Sequence, residues 1–249
     1  MREGLSRTRF RGQLLDLMTR KHHWAWPKFS SDAVNKDQLK VHFQQEYEVY
    51  VRDFPVFLAR IYGHNPPASV RAMLAENIYE EDTGRLSLGV SHPELFLKMM
   101  KGVGYPRQEF SQIRLLAASR RYRKWLDEIS GCGDWIMGAA VLTIFVEGSR
   151  NDRREIRAAS KPPTKQRLEA RVREHPLVRY HRVPARFMDL TRAHLMVENG
   201  HRHDAYHMVV NHAVTRRQQE KVLSALRKTL RLWLHYREGI ARACLLKQS

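Results

Sequence analysis

An all-helical fold is predicted for this 249-residue chain by three observations. Apolar residues recur at three- and four-residue steps over Phe43 to Ile61, Val70 to Ile78, Ile113 to Ile129 and Val222 to Ala243, the period of an amphipathic helix. The two-residue alternation of strands is almost absent. Glycine and proline fall mostly where the helical pattern breaks.

The elements follow in order. A first helix is expected from about Gly4 to Arg20, then a loop, His22-His-Trp-Ala-Trp-Pro-Lys-Phe-Ser30. A longer helix covers about Lys36 to Tyr62, with Pro55 kinking it, and Gly63-His-Asn-Pro-Pro67 ends it. Ser69 to about Glu81 forms a third helix, stopped near Gly84. Ser91-His-Pro-Glu94 is a helix start, with Ser91 as N-cap, Pro93 in the first turn and Glu94 completing a capping box. That helix runs to about Gly102. Another spans Glu109 to Ile129. After Gly131-Cys-Gly133 an apolar helix runs from about Asp134 to Glu147. Residues 150–183 form a basic, proline-broken insertion with a short helix at Thr164 to Glu174. A late helix starts after Pro184, and the last covers about Arg217 to Leu246. No repeat appears, and one domain, 1–249, is expected as a helical bundle.

Composition narrows the setting. With 43% hydrophobic residues the chain can bury a substantial core. It lacks an apolar run long enough to span a bilayer, and Met1-Arg-Glu-Gly-Leu-Ser-Arg-Thr-Arg-Phe10 lacks the apolar core of a signal peptide. Cys132 and Cys244 are too few and too far apart for a disulfide framework, so a reducing cytoplasm is expected. Cys132 lacks a CxxC partner, which argues against a zinc–thiolate site. The net charge of +18 favours an anionic substrate or partner, such as an acidic carrier protein. The Lys and Arg are dispersed, as in Arg120-Arg-Tyr-Arg-Lys124, which reads as a solvated face. A homodimer is compatible with these features.

Chemistry concentrates in His194-Leu-Met-Val-Glu198-Asn-Gly-His201. Positions i, i+4 and i+7 share one helix face. Two imidazoles and a carboxylate on that face suit iron or manganese better than calcium or magnesium. Three other segments offer partners. Glu81 closes the third helix, His92 opens the fourth, and Glu147 ends Ala139-Ala-Val-Leu-Thr-Ile-Phe-Val-Glu147. A carboxylate after so apolar a run is hard to bury unpartnered, and a metal would be such a partner. Three Glu and three His make a two-metal set with one Glu bridging. Glu46 or Glu48 could add a carboxylate, while Tyr47 and Tyr50 read as core aromatics rather than redox partners. His203, Asp204 and His207 give an alternative register for the late ligands.

In order along the chain stand Asn77-Ile-Tyr-Glu-Glu-Asp-Thr-Gly84, Ser91-His-Pro-Glu-Leu-Phe96, Phe145-Val-Glu-Gly148 and His194-x3-Glu-x2-His201, after Tyr50-Val-Arg-Asp-Phe-Pro-Val-Phe-Leu-Ala59. Together these segments resemble the heme-oxygenase-like diiron oxidases, relatives of the TENA and PQQ-synthesis-C group, over roughly residues 40 to 215. The resemblance implies a heme-oxygenase-like bundle of about seven helices that binds two irons without heme and activates O2. It implies N-oxygenation, desaturation or oxidative C–C cleavage of a small amino-acid or fatty-acid type substrate. Carried over, Glu81 and His92 hold one iron, Glu147 bridges, and His194, Glu198 and His201 complete the second and share in the first. The chain departs from the pattern with Glu198 where Asp is frequent and with a long Glu81-to-His92 gap, which leaves Glu80 as a competitor.

Three competing readings remain. A ferritin-like site needs Glu-x-x-His twice, and here it occurs once, Glu198 to His201. The same fold includes a metal-free cofactor-synthesis oxidase and thiamine-cleaving enzymes that need a pocket cysteine, for which neither Cys132 nor Cys244 is an obvious candidate. A basic nucleic-acid-binding module would need clustered Lys and Arg, which this chain lacks, so nucleic acid is disfavoured as a partner.

Overall fold

The computed structural model describes residues 4–157 and 163–248, with the backbone alone at Glu198 and Asn199. Helix follows helix throughout, and no β-strand occurs among the described residues. Helix α1, Arg7–Thr19, is capped by the Ser6 hydroxyl and buries Phe10, Leu14 and Met18, one stripe of its surface. Helix α2, Lys36–Glu46, opens on a full capping box made by Asn35 and Gln38. It continues as π-helical turns over Tyr47–Val51, where the Arg52 N–H reaches the Tyr47 carbonyl five residues back.

One long kinked helix to Tyr62 is not what forms. The chain breaks at Arg52 and Asp53, and a separate helix α3, Phe54–Gly63, begins there with Pro55 in its first turn. A proline there lacks an N–H that would have no partner anyway. Helix α4, Ala68–Thr83, ends at Gly84, whose φ of +61° and contact with Val90 leave no room for a side chain. Helix α5, His92–Val103, starts after Ser91 as expected, but the capping box does not form. Glu94 instead makes a two-pronged pair with Arg107, at 2.6 and 2.7 Å.

The helix expected from Glu109 begins later. Arg107–Phe110 is a 3₁₀ turn, and α6 covers Ala117–Gly131. The buried Gln45 amide holds the intervening backbone, accepting from Leu116 N–H and donating to the Arg114 carbonyl. Helix α7, Trp135–Ala139, runs on as π turns over Ala140–Val146 and is buried almost throughout. Helix α8, Lys165–Glu174, is capped by Thr164. After a 3₁₀ turn at Ala185–Phe187, helix α9 spans Asp189–His212, and helix α10 spans Arg216–Ala243.

A continuous core joins α1, α3, α5, α6, α7, α9 and α10. Phe57, Phe145, Leu226 and Ile240 are fully enclosed in it, and burial of each such side chain contributes about 1.5–3 kcal/mol. The described part of the 150–183 segment is tied into this body. Leu168, Val172 and Leu177 are buried, and Arg192 of α9 clasps the Glu169 carboxylate with two bonds of 2.8 Å. No helix of the described residues is long and apolar enough to cross a membrane.

Candidate metal centre

Helices α4, α5, α7 and α9 enclose a cavity of about 190 Å³. Glu81, His92, Glu147, His194 and His201 all line it, so the structure brings five of the six sequence-selected residues together. The side chain of the sixth, Glu198, lies outside the described residues; its backbone sits on α9 between the two histidines. The remaining wall is largely apolar, with Val51, Phe54, Val146, Leu190 and Val197.

His92 organises one side. Its Nδ1 lies 2.9 Å from Glu81 Oε1 and its Nε2 lies 3.2 Å from Glu80 Oε1. Burial would lower the imidazole's pKa, but the two carboxylates outweigh it and raise the value above that of free histidine. The ring is thus held between the Glu81 and Glu80 carboxylates, one at each nitrogen. Glu80 is fully buried and does not line the cavity. It accepts the Leu86 N–H at 2.7 Å and the Ser87 hydroxyl, so the loop after Gly84 folds back over it. Of the two neighbouring glutamates, Glu81 faces the cavity and Glu80 orients His92 from behind.

The other donors are placed by their helices. His194 lies with its ring centroid 5.0 Å from that of His92, nearly edge-on. His201 is pushed towards its neutral form chiefly by burial. Glu147 follows the π turns of α7, and its Oε1 accepts from Asn77 Nδ2 at 2.8 Å. Asn77 stands one turn before Glu81 on α4, so one helix face supplies both. Lys21, two residues past the end of α1, donates to the carbonyls of Phe145, Val146 and Gly148, at 2.5, 3.2 and 2.6 Å. It thereby pins the backbone on both sides of Glu147, and burial pulls its pKa down to about 7. Gly148 is required here, because a Cβ would meet the Ile144 carbonyl at 2.1 Å. Asp152, also buried, takes the Tyr206 hydroxyl at 2.9 Å and Arg202 Nε at 3.3 Å.

Other sequence candidates point elsewhere. Glu46 pairs with Arg237 and Glu48 with Arg52. His203 and His207 lie on the exposed face of α9. Neither Cys132 nor Cys244 lines the cavity. In the Arg120–Lys124 run, Arg120, Arg121 and Lys124 are exposed, while Tyr122 is buried. Asn77, Lys21 and Tyr50 were not selected from sequence. Asn77 could have been, since it precedes Glu81 by one helical turn; Lys21 carries no such signal.

Among the described residues, no three His, Cys, Asp or Glu side chains close on one point as a finished metal site. They surround a cavity instead. The donor set nonetheless suits iron: imidazoles and carboxylates face one enclosed space, and the imidazole beside Glu81 is held by a carboxylate on its other nitrogen, the arrangement typical of metal-binding histidine.

Residues 41–234 match the family of iron-containing redox enzymes, and the chain belongs to that family. Its fold is the heme-oxygenase-like one. A TenA homologue from Pseudomonas syringae pv. tomato str. DC3000 superposes with a TM-score of 0.66 at 11% identity, over 94% of this chain and 92% of that one. A comparison with curated proteins finds no match.

Proposed function

We propose that the chain is an O2-dependent non-heme diiron oxidase or oxygenase acting on a small metabolite of amino-acid or fatty-acid type. The observation that carries this reading is the convergence of Glu81, His92, Glu147, His194 and His201 on one largely apolar cavity. Glu81 and His92 would hold one iron, Glu147 would bridge, and His194, Glu198 and His201 would hold the other; manganese accepts the same ligands. Bound iron supplies the electrons and open positions at which dioxygen is activated.

The protein's own groups prepare the site. Glu80 fixes the His92 ring, leaving Nδ1 directed at Glu81. Asn77 and Lys21 fix the Glu147 carboxylate and its backbone. The Val51, Phe54, Val146 and Leu190 walls exclude water from a reactive oxidant and offer contact to an apolar portion of substrate. A cytosolic setting agrees with two unpaired cysteines. The high positive charge suits an anionic or carrier-bound substrate.

The test is iron content and O2 consumption of anaerobically Fe(II)-loaded protein beside a His194→Ala/His201→Ala variant. About two irons per chain and rapid O2 uptake, both lost in the variant, are expected. A wild-type chain that takes up no specific iron contradicts the proposal and returns the metal-free oxidase reading.

A further inference from the structure

Tyr50 occupies a place in the cavity wall that a core aromatic does not need. It sits on the π-helical end of α2, one turn after Glu46. Its hydroxyl donates to Glu46 Oε1. Arg237 Nη2 reaches the same oxygen at 3.1 Å and the Tyr50 hydroxyl at 3.5 Å. His42 Nε2 stands 3.5 Å from Glu46 Oε2. The carboxylate is therefore clamped between a phenol and a guanidinium, and both cluster partners lie inside the protein.

The charges of this cluster are sustained. Burial would raise the Glu46 carboxyl, but His42, Arg237 and the bonds from Tyr50 and Arg237 hold its pKa below the usual carboxylate value. Arg237 lies over Trp26, Tyr236 and Trp233, with centroid distances of 4.4, 4.9 and 5.3 Å. Those ring faces stabilise the buried cation apart from Glu46. Burial and the Glu46 charge raise the Tyr50 phenol well above its ordinary pKa, and its hydroxyl is committed as a donor to Glu46. Removing an electron from a phenol makes its O–H strongly acidic, and here a carboxylate already accepts the hydrogen bond along which that proton would move.

We propose that Tyr50 is a redox residue that gives one electron to the oxidant formed from iron and dioxygen in the cavity while its proton moves to Glu46. The Tyr50 O–H bond breaks and an O–H bond forms at Glu46 Oε1. The electron reduces the iron–dioxygen oxidant by one unit, and Tyr50 is left as a neutral phenoxyl radical. Arg237 keeps its charge, held by the surrounding rings. This role rests on the iron reading of the cavity. Tyr206 is also bonded to a buried carboxylate, Asp152, but does not line the cavity, and it serves as the internal control.

The experiment mixes Fe(II)-loaded full-length protein with O2, freezes it within milliseconds and records electron paramagnetic resonance, with bound and oxidised iron counted in the same samples. A tyrosyl signal is expected in the wild type and in Tyr206→Phe. It should vanish in Tyr50→Phe and fall at least tenfold in Glu46→Gln. Site-specific 3,5-difluorotyrosine at position 50, which keeps the ring in place, should add fluorine splitting. Oxidised iron without a radical, or a signal unchanged by Tyr50→Phe or by fluorination, overturns the role of Tyr50 while the iron reading stands. A chain that binds no iron overturns both.

Discussion

Replacing Glu80 by glutamine separates the orientation of His92 from the integrity of the fold. Glu80 Oε2 accepts from the Leu86 N–H, a group that can only donate, so the glutamine carbonyl must take that position. Its amide nitrogen then falls where Oε1 was, facing the Ser87 hydroxyl and His92 Nε2. The hydroxyl can turn to accept. The imidazole cannot oblige without presenting a bare Nε2, which places its proton on Nδ1, the nitrogen directed at Glu81. That tautomer has no lone pair there for a metal. Loss of a carboxylate behind a metal-bound histidine typically lowers affinity about 10–100-fold, or roughly 1.4–2.8 kcal/mol. The hydrogen bonds persist but lose an ionised acceptor, so unfolding free energy should fall by only about 1–2 kcal/mol. Glu80→Ala instead strands the Leu86 N–H and the Ser87 hydroxyl, and should cost roughly 3 kcal/mol or more. Urea unfolding of metal-free protein and anaerobic Fe(II) titration measure the two quantities. A stable Glu80→Gln protein that binds Fe(II) as tightly as the wild type would refute the reasoning, since His92 would then not depend on Glu80 for its tautomer.

Two further predictions concern the metal-free protein. His42 and His175 both sit near pKa 4 because burial disfavours their charged forms. The unfolded chain, near 6.5, binds more protons between these values, so stability is full above about pH 6.5 and is lost as pH falls towards 4. Each should contribute roughly 2–3 kcal/mol to that loss. His175 caps a turn by accepting the Leu177 N–H, so His175→Asn, which can still accept, should flatten the urea-measured profile; an unchanged slope would count against the assignment. Gly84→Ala places a Cβ 2.1 Å from the Val90 carbonyl at a left-handed φ. It should remove at least about 2 kcal/mol and lower the Tm by about 4–8 °C, and an unchanged calorimetric Tm would contradict the loop geometry.

Much of the helical order was legible because local signals agreed with it. Helices begin near Lys36 and Arg217 as expected, where Asn35 with Gln38 and Thr215 with Gln218 form capping boxes. His194 and His201 share a helix face by periodicity alone. Signals failed where tertiary partners outbid local ones. Glu94 left its capping role for Arg107, and Gln45 holds residues 114–116 out of a helix. The π turns before Glu147 and around Tyr50 have no periodic signature, because one inserted residue leaves the apolar pattern nearly intact. They decide which side chains reach the cavity, and so Tyr50 read as core. Lys21 binds carbonyls about 125 residues away, a contact no local pattern encodes.

The most direct test of the central claim is anomalous diffraction at the iron edge from crystals of Fe(II)-loaded protein. Iron peaks within the cavity, contacted by Glu81, His92, Glu147, His194 and His201, are the expected result. Iron bound only elsewhere, or a cavity without anomalous density in crystals of protein shown to carry iron, would contradict the account.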